Sequence, residues 1–484
     1  MGETSRAPGA SNPCHPYEDN MGLLRSIFGS ARLSQDKKRI VILGGGFGGV
    51  YTALELEKSL AKSPDIEITL VNSENFFLFT PMLHEVAASD LDITNIVSPI
   101  RKLLRRVKFF QGEVISVDPA ERRVRVCHGG DAHAHDLPFD YLVVALGSMT
   151  NFYNLPGVQE HSMTMKTLGD AIHLRNRAIA ALEEADTECA QAIREPLLTF
   201  VVVGGGFSGV ETIGGLHDFV MGSLRYYPNI KPQHVRMVLV HSGDVILPEL
   251  GAELGAYAQR KLERQGVQII TKNKLRSASA EGVILTDGTF IRTRHVVWTA
   301  GTTPHPLLKT LGVECDRGRV KVDASLQAAG VRGVYALGDC AVIPDVRNPG
   351  KFHPPTAQHA IREARTLAKN LKAEIRGGKK REFDFVTIGQ LATIGRRTGV
   401  ARVFGLKFSG FLAWFLWRSI YLSKLPRLEK KLRVALDWTL DLFFSKDLVQ
   451  FMTPRGQSID AMSAAKPVTV VPDCAVAAHE MQHA

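Results

Sequence analysis

Two groups of glycines in this sequence are spaced to hold phosphates. Gly44, Gly46 and Gly49 form G-x-G-x-x-G within KKRIVILGGGFGGVYTALELEKSL, and Gly204, Gly206 and Gly209 repeat the spacing within LLTFVVVGGGFSGVET. Each glycine has its own use: a tight turn, a close approach of backbone to a pyrophosphate, and close helix–strand packing. The unpaired N–H groups of the following helix then face the phosphates. The chemistry indicated is dinucleotide binding. Alone the pattern is weak, because a merely flexible glycine loop reads the same. Here Ile40–Leu43 and Leu198–Val203 precede the loops as aliphatic runs, like strands buried on both faces of a parallel sheet. A helical pattern follows each loop at once.

The next expected piece is an acid about 20 residues on, at the end of a second strand, to hold a ribose hydroxyl. After Glu67–Val71 come Asn72, Ser73 and Glu74. Asn72 occupies the usual acidic place, Glu74 offers a carboxylate two residues later, and the sequence assigns neither. After Val235–Val240 come His241 and Ser242, so the acid is missing again. Its absence relaxes discrimination against the 2′-phosphate of NADP, and a protonated His241 would attract that phosphate. No arginine stands immediately beside it, so use of both nucleotides is expected.

Two such units suggest two dinucleotides bound face to face, a resident flavin and a visiting nicotinamide. Three further segments fit: YLVVALG (Tyr141–Gly147), VVWTAG (Val296–Gly301), and GVYALGDCA (Gly333–Ala341), where Asp339 follows a strand and a glycine. No CxxxxC or CxxC follows the first glycine helix. A disulfide relay is therefore disfavoured, and electrons must leave the flavin directly.

At this point the order of motifs resembles the two-dinucleotide flavoprotein reductases. In detail it is similar to the type II NADH:quinone oxidoreductases. The matching pieces are FFLFTPML (Phe76–Leu83), ALG, the second glycine motif with Glu211, VILPEL (Val245–Leu250), TAGTTP, GDCA and PPTAQHA (Pro354–Ala360). The expected fold is α/β with two Rossmann-like dinucleotide-binding domains. The FAD domain is discontinuous (37–155 and 291–385), and the NAD(P)H domain is inserted at 156–290. An amphipathic helical membrane-association region follows at 386–452, with tails at 1–36 and 453–484.

The resemblance implies tightly bound FAD on Gly44, Gly46, Phe47, Gly48 and Gly49, with Ala145 and Gly147 nearby. It puts Asp339 at the ribityl or phosphate region, and Thr80 and Pro81 against the isoalloxazine. It implies NADH or NADPH on Gly204, Gly206 and Gly209, with His241 and Gly301, and with Glu211 close to both rings. The plain alternative for Glu211 is a solvated acid favoured by the helix dipole. The family's quinone-side pattern is A-Q-x-A-x-Q; this chain reads Ala357-Gln358-His359-Ala360-Ile361-Arg362. Positions i and i+4 share a helix face, so Arg362 stands where the second glutamine would; the plain alternative is an exposed helix charge. Glu211, Gln358, Arg362 and Pro81 are the candidate catalytic residues. The implied activity passes hydride to FAD and two electrons to a membrane quinone, without proton pumping. The protein places the rings, and the cofactor carries the reaction.

Composition fits a two- or three-domain globular chain: 484 residues, 45% apolar and 22% charged. The net charge of +10 suggests an anionic partner: nucleic acid, lipid headgroups or phosphorylated cofactors. Basic residues gather between Arg396 and Arg433, around FLAWFLWRSIYLSKL (Phe411–Leu425). Arg418 and Ser419 interrupt that stretch, and a bilayer span needs about 20 apolar residues. After Pro426, Leu428, Leu432, Ala435, Leu436 and Phe443 form one helical stripe, with Arg427, Lys430, Arg433, Asp437 and Asp441 opposite. Monotopic attachment is expected, on the cytoplasmic face of the inner membrane. Trp414, Trp417, Tyr421 and Trp438 are of the types that favour the headgroup layer. A homodimer is expected and a nucleic-acid partner is not. The competing reading is that these helices cover the catalytic domains.

Cysteines at 14, 127, 189, 315, 340 and 474 form neither a disulfide framework nor a zinc pattern, and no metal ligand is assigned. They suit a reducing compartment. Residues 1–36 read as a disordered tail with loose transit-peptide character. HEMQH (His479–His483) matches a zinc-protease pattern by chance, since it lacks a further ligand and a cleft. Two rival functions remain open from sequence: a related flavoprotein with another acceptor (oxygen, a carrier protein or sulfide chemistry), and a non-catalytic redox sensor.

Overall fold

The computed structural model describes residues 37–129 and 133–451. Both tails, and with them HEMQH, lie outside the described residues. The chain forms two compact units. One takes the chain up to Phe77, Ser98–Met149 and Thr303–Thr387; the other takes Leu78–Val97, Thr150–Thr302 and the chain from Ile388.

The first unit is built on a five-stranded parallel sheet. Its order is Val334–Ala336, Tyr141–Val144, Lys38–Leu43, Ile66–Asn72, Lys108–Gln111. Ile40, Val41, Ile42 and Leu43 are all buried, as two covered faces require. The helix Phe47–Ser59 makes the crossover from the first strand to the second. The Val334 edge strand arrives only after the whole of Thr150–Thr302 has been traversed, which is why this unit is discontinuous. A three-stranded antiparallel sheet, Glu113–Asp118, Arg123–His128 and His133–Pro138, also belongs to it.

The second unit repeats the plan. Its parallel sheet runs Met163–Thr164, His295–Trp298, Thr199–Val203, Arg236–Val240, Val267–Ile270. Thr199–Val203 is buried throughout and leads into the helix Phe207–Ser223. Both sheets reverse strand order beside their glycine loop. In open α/β sheets that reversal is where ligands bind.

The C-terminal part of the second unit is an antiparallel meander, Gly389–Thr393, Gly399–Val403 and Leu406–Gly410, followed by two helices. Helix Phe411–Lys424 ends at Leu425, whose extended backbone (ψ 135°) is what a following proline imposes. Helix Leu428–Leu440 follows. No helix among the described residues is long and apolar enough to cross a membrane.

The apolar stripe read from the sequence is present and faces outward: Leu428, Leu432 and Leu436 are 71%, 64% and 58% exposed. Part of its polar face turns inward, while Arg433 stays exposed. Lys430 Nζ donates to the Thr94 carbonyl at 2.5 Å, and Asp437 Oδ2 accepts from Asn95 Nδ2 at 2.5 Å. The tryptophans differ from expectation. Trp417 is 0% exposed, and Trp414 and Trp438 are also buried. Each of Trp417 and Trp438 has an interior carboxyl for its indole N–H, and burying an indole stabilises more than leaving it at a surface. Phe411, Leu412 and Phe415 are the exposed apolar residues of the first helix.

Candidate functional site

The two glycine loops are held in the same way. Gly44 N–H donates to Val71 O and Gly204 N–H to Val240 O, each at 2.8 Å, so each loop is stitched to the neighbouring strand. Gly44 and Gly204 have φ of +104° and +117°. A Cβ at Gly44 would lie 2.3 Å from Ala145 O, and one at Gly49 or Gly209 would lie 1.8 Å from the carbonyl of Gly44 or Gly204. Only glycine permits these approaches. Gly46 and Gly206 are different: a Cβ there would meet nothing within 4 Å. Each is the N-cap of its helix with no side-chain cap, so an open cradle faces first-turn N–H groups. That arrangement fits a pyrophosphate in each unit. Gly48 packs against Leu337, and Phe47 meets Phe77 edge-on at 5.0 Å.

The residues in the place of the usual acid brace the loops. Asn72 Oδ1 accepts the Gly45 N–H at 2.7 Å, while Asn72 Nδ2 donates to Glu74 O at 2.8 Å. Both ends of the Asn72 amide are thus engaged, and the exposed Glu74 carboxylate is the better placed to meet a hydroxyl. His241 Nδ1 accepts the Gly205 N–H at 3.2 Å, the same brace in the second unit. An accepting Nδ1 carries no proton. Burial also lowers the His241 pKa. The expected attraction of a protonated His241 for a 2′-phosphate is therefore opposed by the fold.

In the first unit, Asp339 Oδ2 accepts from Ser148 Oγ at 2.9 Å, and Gly147 has φ +65°. Beside Asp339, the Gly338 N–H donates to Glu363 Oε2 at 2.8 Å. Burial, with the Asp339 carboxylate, pushes Glu363 up to about 8. Cys340 is buried, its thiol faces the Leu337 and Val144 carbonyls, and burial pushes it up to about 12. Cys189, Cys315 and Cys340 are free cysteines. Ala357, Gln358 and Arg362 lie in the helix Ala357–Arg376, capped by Thr356. Arg362 shares a face with Gln358, as expected. Its Nη1 donates to the Gln358 carbonyl at 2.8 Å and its guanidinium lies 4.1 Å from the centre of the Phe385 ring. It is half-buried and held, not a free surface charge.

In the second unit, Thr80 and Pro81 form a short 3-10 turn. Gly301, with φ +86°, lies against Tyr153, whose hydroxyl a Cβ would meet at 2.4 Å and whose ring at 2.5 Å. Glu211 is the most unusual group. It is buried, which excludes the solvated-acid alternative. Its Oε1 accepts from Trp417 Nε1 at 3.1 Å and from the Thr393 N–H at 3.2 Å. His84 Nδ1 stands 3.6 Å from Oε2, and His84 Nε2 shares a 3.0 Å hydrogen bond with Thr393 Oγ1. Burial pushes Glu211 up to about 8 and pulls His84 down to about 3. At neutral pH the 3.6 Å approach is therefore a contact between uncharged groups, not an ion pair. Next to His84 in sequence, Glu85 is also pushed up to about 8 by burial and accepts from Trp438 Nε1 at 2.9 Å. Arg418 answers why a charge interrupts the apolar stretch. Its guanidinium lies 4.2 Å from the Trp414 ring centre and 4.6 Å from that of Trp438, with Glu85 Oε1 at 3.9 Å. A weakly hydrated planar cation stacked on indoles suits such an interior.

The sequence reading missed His84, Thr393 and Trp417 as partners of Glu211, Glu85 as the partner of Trp438 and Arg418, and Glu363 as a neighbour of Asp339. The only signal was a pair of ionisable residues, His84-Glu85, inside an apolar segment.

The family model described as pyridine nucleotide-disulphide oxidoreductase matches residues 38–364, and the NDH2 C-terminal domain matches residues 388–447. A Mycobacterium tuberculosis type II NADH:quinone oxidoreductase, Ndh, is 32% identical over 84% of this chain and 88% of its own. A probable NADH dehydrogenase of Dictyostelium discoideum is 31% identical over 86% of this chain and 92% of its own. The structure of NDH2 from Plasmodium falciparum in complex with NADH aligns with a TM-score of 0.78 at 20% identity, covering 85% of this chain and all of that one.

Proposed function

The chain belongs to the type II NADH:quinone oxidoreductase family, and from that premise we propose how its parts divide the work. It is a FAD-dependent flavoprotein that oxidises NAD(P)H and reduces a quinone. The observation that carries the reading is the duplicated strand, glycine loop and helix, whose second copy leads directly to a buried carboxyl. Bound FAD supplies the centre that takes hydride from a nicotinamide and returns two electrons to the acceptor.

The first glycine loop, Gly44, Gly46, Phe47, Gly48 and Gly49, holds the FAD pyrophosphate, with Glu74 toward the ribose and Asn72 bracing the loop. Ala145, Gly147 and Asp339 line the remainder, and Thr80 and Pro81 lie against the flavin ring. Apart from Thr80 and Pro81, which fall in the second unit, these belong to an FAD domain of 37–155 and 291–385. The second loop, Gly204, Gly206 and Gly209, holds NADH, with His241 and Gly301 beside it, in a domain of 156–290. NADPH is the weaker substrate, because His241 is neutral and offers its 2′-phosphate no charge.

Glu211 works as a proton store. Quinone, NADH and a proton give quinol and NAD⁺, so a proton must be supplied. A carboxyl poised near neutrality releases and regains one readily. Trp417 and the Thr393 N–H fix its orientation. Ala357 and Gln358 face the quinone, and Arg362, held on Phe385, sets the shape of that side. The Cys340 thiol, pushed up to about 12 by burial, argues against sulfur chemistry at that position.

Region 386–452 attaches the enzyme to a membrane. The outward Leu428, Leu432, Leu436, Phe411 and Phe415 enter the lipid, and the positive charge attracts anionic headgroups. The quinone then need not leave the bilayer. We assign the cytoplasmic face of the inner membrane, with a homodimer as the working form. The test is anaerobic stopped flow. NADH should bleach the flavin rapidly and NADPH slowly, and a short-chain quinone should restore the absorbance. Reoxidation by oxygen but not by quinone would overturn the proposal.

A further inference from the structure

Three of the 16 histidines lie between positions 128 and 135, on two neighbouring antiparallel strands of the first unit. His128 ends the strand Arg123–His128 and His133 opens the strand His133–Pro138. The two are directly paired across the ladder. His135 follows His133 by two residues, so all three side chains leave one face of the sheet. Ring centres lie 4.7 Å apart for His128 and His135, 4.5 Å for His133 and His135, and 5.6 Å for His128 and His133. One ring nitrogen from each lies within 4.8 Å of the other two. The Nε2 atoms of His128 and His135 are 2.7 Å apart. Phe110 backs the group, edge-on to His128 at 5.7 Å and to His135 at 5.5 Å.

Neutral imidazole is the commonest protein ligand for late first-row metals. Tetrahedral zinc with Zn–N of about 2.0–2.1 Å needs nitrogens about 3.3 Å apart. The 2.7 Å separation lies below that value and the others lie within 4.8 Å, so side-chain rotations reach it. The nearby Asp136 is not part of the group, since Arg125 Nε and Nη2 hold it at 2.9 and 3.2 Å. We propose that His128, His133 and His135 form a three-histidine surface site for a divalent late first-row transition metal, Zn²⁺ foremost, with one coordination position left to water. The ion would join the paired ends of two strands and clamp that end of the sheet. It requires nothing of the flavin or nicotinamide chemistry.

The test uses the full-length, FAD-loaded chain without an affinity tag, stripped with chelator and titrated calorimetrically with zinc chloride. One equivalent should bind with micromolar or better affinity. The variants His128→Asn and His135→Asn should each weaken binding tenfold or more, and the triple His→Asn variant should abolish it. Cobalt should give visible d–d bands that the triple variant lacks. All three side chains are exposed or half-exposed, so flavin content and melting temperature should be retained. If the triple variant loses flavin, the single variants decide. Zinc binding equal to wild type in the folded variants overturns the proposal, as does failure of the wild type to bind below millimolar.

Discussion

Glu211 keeps its proton to about pH 8 because burial penalises the carboxylate, which only two N–H donors offset. A folded-state pKa above the unfolded value makes the native state bind the extra proton between about pH 4.5 and 8. Stability from this group is therefore full below that window and is lost as pH rises through it, by about 1.4 kcal/mol per unit at most. Glu211→Gln should flatten the fall, so denaturant midpoints at pH 5 and pH 8 should lie closer together than in wild type. The same variant should lower quinone turnover by about 10²-fold, since it holds no exchangeable acid proton. His241→Asp restores an acid at the strand end and should raise KM for NADPH by about tenfold while sparing NADH. Glu211 was legible because it follows the third glycine. Its partners were not: His84 and Thr393 meet across 309 positions of sequence, and nothing local marks such a meeting.

Among elements, the two glycine loops were the most legible, because their steric demands permit one residue type. Gly49→Ala puts a methyl 1.8 Å from the Gly44 carbonyl, so the purified variant should carry little or no flavin absorbance. The C-terminal helices were half legible. Their leucine stripe follows from a 3.6-residue period. Their tryptophans were read as surface types because the carboxyls awaiting their N–H groups come from other segments. Trp417→Phe keeps the ring and removes the donor to Glu211. That donor favours the carboxylate, so its loss should move the Glu211 pKa up by about one unit, read from the alkaline limb of the rate profile. The histidines His128, His133 and His135 were not singled out in the sequence, since their convergence depends on strand register.

For the whole molecule, the outward apolar helix face and the +10 charge are the features a buried core does not need. Replacing Leu428, Leu432 and Leu436 together with serine should weaken sedimentation with anionic vesicles by tenfold or more, given about 1.5–3 kcal/mol per buried leucine. Turnover with a water-soluble quinone should remain. The order of motifs revealed two Rossmann units. The clustering of Leu78–Val97 with the second unit depends on Asn95, His84 and Glu85 finding partners there, which no motif signals. The duplication is also unequal in one respect. The loop clasp in the first unit is a carboxamide, which acid does not touch, and in the second it is an imidazole lone pair. Acidification below the ordinary histidine range should thus evict the travelling coenzyme while the protein stays yellow.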